Sequence, residues 1–410
     1  MSCAKSELCI FDAPMPQIVI DSAAFETIFP INTITGNTNA DVEFNIIASN
    51  TEYLDLNDTM LFVELKVVKN DGKDLEVTSE VYPSNCFFHT LFKDIVLSMN
   101  NERIEGGNNN HAQKALIETI INYGSDTKKT SLDSIGYNPD KEKRKAWIQK
   151  STTFRMCGSL QLDFFDQPKY LIPGVNVHLR LQRSKDSFCL SAKDLKPKII
   201  LNDVKLFIRR VKVDPSVLIG HQLGLNSQNA RYPIRKTQFV SYTIARGSLS
   251  FYKEQIFGDN RLPKFILITF QNTSQYNGSF TEETVSYKHL SVTSITLTRN
   301  SDYTESYTQD FNKDDYVTSY VASLIRNMGY LDKNLNNGIT QTDFKDTYPF
   351  FTFVLAPDFA VHQTQLPRQG NLRLDIKFET GLTDAASILI YGVFDSEIQI
   401  NKNRTVILSQ

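Results

Sequence analysis

Cysteine and tryptophan are scarce in this 410-residue chain, which holds five cysteines and one tryptophan. The cysteines are odd in number, widely spaced and never arranged as Cys-x-x-Cys; they are Cys3, Cys9, Cys86, Cys157 and Cys189. This spacing argues against the disulfide framework of a small secreted domain and against a cysteine zinc site. We therefore expect reduced thiols in an intracellular protein.

Long apolar runs and an excess of charge of one sign are also missing. The longest apolar runs, such as residues 265–270, are far shorter than the roughly 18 residues that a membrane-spanning helix needs. The first ten residues lack the apolar stretch of a secretory signal, so we expect none. The 44 Lys and Arg residues balance 46 Asp and Glu residues, giving a net charge of -2. This balance disfavours a protein that condenses nucleic acid on a basic arm.

Strand patterns dominate the rest of the chain, which is 41% apolar with 27 Phe and 17 Tyr residues. Apolar and polar residues alternate along 175–182 and 372–379, which is typical of a strand with one buried face. Similar stretches occur at 42–48, 59–68, 95–99, 199–213, 236–245, 264–270, 291–298, 350–355 and 387–400. Turn residues separate them, and the spacing favours antiparallel sandwiches over a parallel sheet with crossover helices.

Helical periodicity is rare. It predicts helices over 111–123, ending at Gly124, over 315–328, ending at Gly329, and, more weakly, over 215–225. We expect the first two to pack at the ends or flanks of the sandwiches. The polar stretch 124–150, which contains Trp147, is interpreted as a long loop.

Segments of the first half recur in the second half in the same order. Residues 95–100 (IVLSMN) resemble 295–300 (ITLTRN) at an offset of 200, which His89 and His289 share. Three further matches follow at similar offsets: Asn122-Tyr-Gly124 with Asn327-Met-Gly329, the strand after Gly174 with that after Gly370, and the strand from Lys198 with that from Ser387. We infer two copies of one all-β domain with a helix inserted at the same place and a join near Val213.

Each copy is about twice the roughly 100 residues of an immunoglobulin sandwich, so an eight-stranded jelly roll with long loops fits better. The predicted fold is all-β, with two consecutive eight-stranded jelly rolls (a double jelly roll) and a few inserted short helices. The predicted domains are an N-terminal arm over 1–40, a first jelly roll over 41–213 and a second over 214–410.

Two motifs could bind ions. The run Lys141-Glu-Lys-Arg-Lys145 could be a nuclear-import signal or a phosphate-binding patch, but Asp140 and Glu142 interrupt it and favour a solvated loop. The segment 332–343 resembles a calcium loop in its first residues. However, Gly338 occupies position seven where the motif needs position six, and Asp343 replaces the bidentate Glu, so an Asn/Gly-rich turn is favoured.

No catalytic motif appears either. The chain has no GxSxG, P-loop or GxGxxG sequence, and Asp163 with Asp166 could serve a glycosidase only if folding placed them across a cleft. The six histidines are scattered without metal-ligand spacing; they are His89, His111, His178, His221, His289 and His362. We therefore predict no catalytic, cofactor-binding or metal residues, and an assembly role for the duplicated sandwich.

Several strings resemble one family, the double jelly-roll major capsid proteins of Polinton/Maverick elements and adintoviruses, of the adenovirus-hexon-like lineage. They are YLDLNDT at 53–59, LIETIINYG at 116–124, RSKDSFCL at 183–190, VKLFIRRVKVDPS at 204–216, RYPIR at 231–235, YNGSF at 276–280, GNLRLDIKF at 370–378 and FDSEIQINKNR at 394–404. They run in order over nearly the whole chain, and the first 40 or so residues match less clearly.

The resemblance implies a structural subunit of a virion. It implies a homotrimer with a pseudo-hexameric outline that tiles an icosahedral capsid around double-stranded DNA, without sequence-specific DNA binding. The implied partners are neighbouring capsomers, a penton protein, minor capsid proteins and a maturation protease. Synthesis would be in the host cytoplasm, with assembly there or in the nucleus. The resemblance transfers no catalytic residue and no cofactor. Two other functions stay open: a host-domesticated β-sandwich that binds a sugar or a protein without assembly, and a glycosidase.

Overall fold

The computed structural model describes residues 17–34, 40–300, 303–329, 336–356 and 366–409. The first half of the chain holds the strands β1 (Ile20–Ile28), β2 (Val42–Ile46), β3 (Glu52–Val68), β4 (Val81–Pro83), β5 (Phe92–Met99), β6 (Glu102–Glu105), β7 (Phe154–Gly158), β8 (Val177–Arg183), β9 (Leu190–Ala192) and β10 (Lys198–Val213). The second half holds β11 (Ala230–Ile244), β12 (Ser250–Lys253), β13 (Phe265–Asn272), β14 (Val292–Arg299), β15 (Tyr303–Thr308), β16 (Phe351–Val354), β17 (Leu372–Phe378), β18 (Ala386–Ile400) and β19 (Val406–Ser409).

Short helices lie between the strands. They are α1 (Phe87–Thr90), α2 (His111–Asn122), α3 (Ser125–Lys129), α4 (Lys141–Ile148), α5 (Asp186–Cys189), α6 (Pro215–Gly224), α7 (Thr273–Asn277), α8 (Val317–Tyr320) and α9 (Gln341–Asp346). Tight 3₁₀ turns span Ser131–Ile135 and Gln149–Ser151, and a wide π-helical turn, Val321–Arg326, continues α8.

The two halves have the same sheet topology. The first half forms the antiparallel sheets β1-β10-β3-β7 and β2-β8-β5-β6, with β4 and β9 as a separate pair. The second half forms β11-β18-β13-β16, to which β19 adds, and β12-β17-β14-β15. Numbering the eight sheet strands of each half in chain order gives the strand orders 1-8-3-6 and 2-7-4-5 in both halves. This is the jelly-roll connection, so the predicted double jelly roll is confirmed.

The internal repeat detected in the sequence corresponds to this topology. Residues 92–99 form the fourth strand of the first jelly roll and 292–299 form the fourth strand of the second, at the offset of 200. The helices α2 and α8 are both inserted between the fifth and sixth strands of their halves. The repeat therefore identifies equivalent elements of two copies of one fold.

Alternating side chains build the cores. In β8, Val177, Leu179 and Leu181 are fully buried, while His178 and Arg180 lie on the outer side. Each such aliphatic side chain stabilises the sandwich by about 1.5–3 kcal/mol relative to an exposed position. The strand β17 repeats the pattern with Leu372, Leu374 and Ile376.

Strand β1 lies within the segment predicted as an N-terminal arm. It pairs along β10, from Ile20 opposite Val213 to Ile28 opposite Leu206, and forms the edge of the first sheet. Residues 1–16 and 35–39 lie outside the described residues. The arm therefore stays a proposal for the residues before β1, and we propose that the first jelly roll includes β1. Strand β10 ends at Val213, where the join was predicted.

Three details of the predicted loop and helices differ in the structure. Residues 124–150 are not one loop, since they contain α3, the turn Ser131–Ile135 and α4. Helix α2 ends at Asn122, one residue before the predicted end, and Gly124, with a φ of -71°, is the residue that caps α3. The predicted helix over 315–328 is shorter, at residues 317–326, and its second part is the π-helical turn.

Candidate functional site

The two jelly rolls meet along a junction that contains many polar contacts. The backbone N–H of Ala192 donates to the Phe280 carbonyl at 2.7 Å, and the Lys169 ammonium donates to the Arg231 carbonyl at 2.7 Å. The Asn110 amide donates to the Phe239 carbonyl at 3.2 Å. These contacts cross from the first half of the chain to the second.

A buried lysine organises the centre of the junction. Lys114, on α2, donates to Glu105 at 2.7 Å and to Asp163 at 2.6 Å, and all three side chains are at most 16% exposed. The same Asp163 carboxylate accepts hydrogen bonds from the Thr237 N–H at 2.7 Å and from the Thr237 hydroxyl at 2.9 Å. Asp163 therefore joins the helix of one jelly roll to the first strand of the other.

Glu118 lies one helical turn after Lys114 on the same face of α2. Its carboxyl accepts a hydrogen bond from the Tyr391 hydroxyl, on β18, at 2.9 Å. Desolvation raises the pKa of Glu118 to about 8, opposed mainly by the Lys114 charge and reinforced by Asp163. Desolvation and the neighbouring Asp163 also raise the pKa of Glu105. Three carboxyl groups thus lie around one ammonium group, and desolvation is the main cause of the raised pKa of both Glu105 and Glu118.

A cavity of about 820 Å³ opens beside this cluster, and its lining comes from both jelly rolls. Its polar lining includes Glu118, Asp163, Asp166, Arg235, Arg326 and Tyr391, and its apolar lining includes Leu56, Ile121, Phe165, Phe265 and Val393. Desolvation raises the pKa of Asp166, and the nearby Arg235 opposes that rise. A cavity of this size at the boundary of two domains is the usual place to look for a ligand site.

Asp163 and Asp166, the acids considered for a glycosidase, both line this cavity. The Asp163 carboxylate, however, is held by Lys114 and by Thr237, as expected for a carboxylate that fixes structure. Glu118, which the sequence analysis did not single out, has the more strongly perturbed environment. A Lys and a Glu four residues apart are an ordinary pair on a helix surface, so no local sequence signal distinguishes Glu118.

The basic run Lys141–Lys145 forms the first part of α4 and not a solvated loop. Asp140 caps the helix by accepting the Glu142 N–H at 3.0 Å. Arg144 is buried with a 2% exposed side chain, donates to the carbonyls of Pro83 at 2.9 Å and Asn138 at 2.6 Å, and forms an ion pair with Glu283 of the second jelly roll. Its neighbour Lys141 lies 4.1 Å from the centre of the Tyr82 ring.

In the described part of the calcium-like segment, the polar side chains form hydrogen bonds with groups of the segment itself. Residues 332–335 lie outside the described residues. Asn336 accepts the Gly338 N–H at 2.8 Å, and the Asp343 carboxylate caps α9 by bonding the Thr340 N–H at 2.9 Å and hydroxyl at 2.7 Å. These contacts are those of a turn followed by a capping box.

The histidines are spread over the fold, except that His89 and His111 lie close enough for the His89 charge to add to desolvation in lowering the pKa of His111. His89 is buried, and desolvation lowers its pKa to about 3. His221 bonds the Tyr53 hydroxyl at 2.7 Å, and His289 stacks on Phe311 at 4.3 Å between ring centres. His362 lies outside the described residues. In the part of the chain that the structure describes, no group of three or more His, Cys, Asp or Glu residues could hold a metal ion.

No helix among the described ranges has the length and apolar character that crossing a bilayer requires.

The solved structures that this chain resembles are double jelly-roll proteins, and each matches the chain over nearly its whole length. A chain of the Sputnik virophage covers 100% of this chain and 93% of its own length, with a TM-score of 0.66 and 11% identity. The PBCV-1 protein Vp54 covers 98% and 99%, with a TM-score of 0.62 and 13% identity. The mavirus major capsid protein covers 99% and 93%, with a TM-score of 0.56 and 12% identity. At these identities the similarity shows the shared fold.

Among curated proteins, the chain is similar to the Caenorhabditis elegans protein described as uncharacterized protein F54H12.2. The two are 24% identical over 400 residues, which cover 89% of this chain and 92% of the nematode protein. No protein-family model matches the chain.

Proposed function

We propose that this chain is a major capsid protein, a structural subunit and not an enzyme. The single observation that carries the proposal is the duplicated jelly roll, whose two halves share one strand order and whose solved neighbours include the mavirus major capsid protein. A binding module has no need of two equivalent sandwiches fixed side by side. A shell subunit does, because paired sandwiches offer large lateral surfaces for symmetric packing.

In this proposal three copies form a homotrimer with six similar lobes, which gives a pseudo-hexameric outline. Such trimers tile an icosahedral shell around double-stranded DNA and contact penton and minor capsid proteins. The chain is made in the host cytoplasm and ends in the virion. The net charge of -2 supports subunits that touch without strong mutual repulsion and enclose DNA without binding its sequence.

Within that class we propose the Polinton/Maverick and adintovirus lineage. The strings listed above support it, and so does the nematode relative, which matches along 92% of its own length. An element that integrates into animal genomes would leave genes there whose proteins resemble this chain over its full length.

Exposed apolar side chains support assembly. Ile18, Phe25, Ile219 and Leu223 are 76%, 53%, 57% and 65% exposed in the single chain. Large exposed apolar groups in neighbouring elements mark contact surfaces, and we propose that other copies of this chain cover them.

The test is the solution mass of the purified protein by light scattering after size exclusion. The proposal predicts a species near 3 × 46.7 = 140 kDa, or larger assemblies that electron microscopy resolves as shells. A monomer of 46.7 kDa over a wide range of concentration and salt would contradict it. Ligand-dependent thermal stabilisation of such a monomer would instead support a binding module that uses the 820 Å³ cavity.

A further inference from the structure

An amine and two carboxyl groups are in direct contact inside the first jelly roll. Lys114 Nζ lies 2.6 Å from Asp163 Oδ1 and 2.7 Å from Glu105 Oε1, and the three side chains are 8%, 8% and 16% exposed. The Asp163 carboxyl carbon is one bond of about 1.2 Å beyond Oδ1, so it lies within roughly 4 Å of Nζ, close to the separation of about 3–3.5 Å at which atoms react. A buried amine and carboxyl group held in this way can condense to an amide.

We propose that Lys114 and Asp163 form an intramolecular isopeptide bond, in a single condensation that releases water and in which Glu105 transfers the proton. This modification does not depend on the proposed capsid function.

Thr237, on the first strand of the second jelly roll, supports the condensation from the far side of the Asp163 carboxyl group. Its N–H donates to Asp163 Oδ2 at 2.7 Å, and its hydroxyl donates to the same carboxylate at 2.9 Å. Lys114 contacts the other oxygen, Oδ1. The Thr237 N–H therefore points at the oxygen on which negative charge develops when Nζ attacks the carboxyl carbon, as an oxyanion-hole donor does.

Glu105 contacts both reacting residues. Its Oε1 accepts a hydrogen bond from Lys114 Nζ at 2.7 Å, and its Oε2 accepts one from the Asp163 backbone N–H at 2.8 Å. The two contacts fix the Glu105 carboxylate beside the amine and next to the group that leaves. This is the position that a carboxylate needs in order to take a proton from Nζ and pass it on.

The condensation balances in atoms and electrons. A proton first passes along the 2.6 Å hydrogen bond from Lys114 Nζ to Asp163 Oδ1, leaving a neutral amine beside a neutral carboxyl group. The Nζ lone pair then bonds to the carboxyl carbon, and the C=O electron pair moves onto Oδ2. Glu105 takes a proton from Nζ and gives it to the Oδ1 hydroxyl, which leaves as water while the Oδ2 pair restores the C=O bond. The products are one amide, one water and an unchanged Glu105.

Burial favours the amide over the ion pair, because two desolvated charges are replaced by one neutral group. A second buried pair shows what proximity alone provides. Lys264 Nζ lies 2.6 Å from Asp395 Oδ1, and their side chains are 5% and 9% exposed, but within the described residues Lys264 contacts no second carboxylate. Without an acid that contacts the amine, we expect Lys264 and Asp395 to remain an ion pair.

Mass spectrometry of the purified, denatured full-length protein tests the bond. We expect the wild type to be lighter than its sequence mass by one water, and Lys114→Arg, which keeps the cation but cannot form the amide, to have its full sequence mass. Because the bond blocks cleavage after Lys114, trypsin should release residues 104–128 joined to residues 156–169 from the wild type. Lys264 and Asp395 should appear in separate, unlinked peptides.

Glu105→Gln tests the proton transfer, since the amide keeps the size of the side chain but cannot accept a proton from Nζ. We expect the loss of water from the folded variant to be slower than in the wild type by about 100-fold or more. Glu102→Gln is the matched control, because Glu102 is exposed on the strand β6 that also carries Glu105. It should lose water as the wild type does.

A wild type that is folded by circular dichroism, and that keeps its full sequence mass after days in native buffer, would overturn the isopeptide bond. A loss of water that persists in Lys114→Arg would also overturn it, because the water would then come from another residue. A normal rate in Glu105→Gln would contradict the role of Glu105.

Discussion

Arg144 shows how a single side chain connects distant parts of the molecule. It lies in a run of basic residues, yet it is the member of that run that is buried, and it bonds two carbonyls of its own half and Glu283 of the other. A buried ion pair of this kind is costly to form and more costly to break, because the partner is left desolvated and unpaired.

We expect Arg144→Met to lower the free energy of unfolding by about 2–4 kcal/mol. The loss comes from the stranded Glu283 carboxylate and from the carbonyls of Pro83 and Asn138. The measurement is denaturant unfolding followed by tryptophan fluorescence, since Trp147 lies in the same helix and stacks on Phe154.

Lys143→Ala is the control for this change, because Lys143 is exposed in the same helix. Its effect should stay within about 0.5 kcal/mol. Equal effects of the two variants would mean that Arg144 contributes only as surface charge.

The sequence predicted residue environments well where they depend on neighbours in the chain. Alternation identified the buried faces of β8 and β17, because a strand period of two needs only local information. It did not identify Arg144 or Glu118, whose partners Glu283 and Tyr391 are 139 and 273 positions away. Neither side chain has a local pattern that distinguishes it from an ordinary exposed charge.

Helix α6, which follows the first jelly roll in the chain, is exposed or partly exposed along its whole length. Asp214 caps it by accepting the Ser216 N–H at 2.9 Å, and Pro215 occupies its first turn. None of its residues is buried, and it contains no Lys, Arg, Asp or Glu. Such a helix leaves apolar side chains in contact with water when the chain is alone, which is typical of a surface that another protein covers.

We therefore expect the double variant Ile219→Lys with Leu223→Lys to weaken self-association by roughly 100-fold or more, since two apolar side chains lose their burial. Sedimentation velocity over a dilution series measures the change. Gln222→Lys, on the same helix, adds charge without removing an apolar group and should associate almost normally. Unchanged association of the double variant would place the subunit contacts elsewhere.

Some elements could not be predicted, for physical reasons. Strand β1 has no alternating pattern because nearly all its side chains are exposed on both faces, and only pairing with β10 makes it a strand. The helices α3 and α4 are short and polar, with little intrinsic periodicity, and they form because tertiary contacts such as that of Arg144 hold them. In contrast, α2 was predicted to within one residue because its buried face is long and regular.

For the whole molecule, the order of repeated segments was enough to predict the duplication. The equivalence of the two copies followed from it, whereas the jelly roll was inferred from the length of each copy. The junction between the copies did not, because neither its ion cluster nor its cavity has a counterpart in the repeat pattern.

The number of contacts across the junction leads to a prediction for the intact chain. A protease site inserted between Ser227 and Gln228, in the exposed segment before β11, should be cleaved without separating the halves. The fragments should elute together at the mass of the uncut protein, because ion pairs and hydrogen bonds from Arg144, Asp163 and Ala192 hold them.

Denaturing electrophoresis confirms cleavage in that experiment, and urea should release the two fragments. Separation of the fragments in native buffer at micromolar concentration would show that the covalent connection, and not the junction, keeps the jelly rolls together.

The π-helical turn at Val321–Arg326 has a consequence for insertions and deletions in this protein. The Asn327 N–H bonds the Ala322 carbonyl, five residues back, so the turn holds one residue more than an α-helical turn. Removing one residue there would restore the α-helix and rotate everything after it by about 100°. Asn327, Met328 and Gly329 would then leave the cavity wall. The length of this helix is thus fixed to the residue.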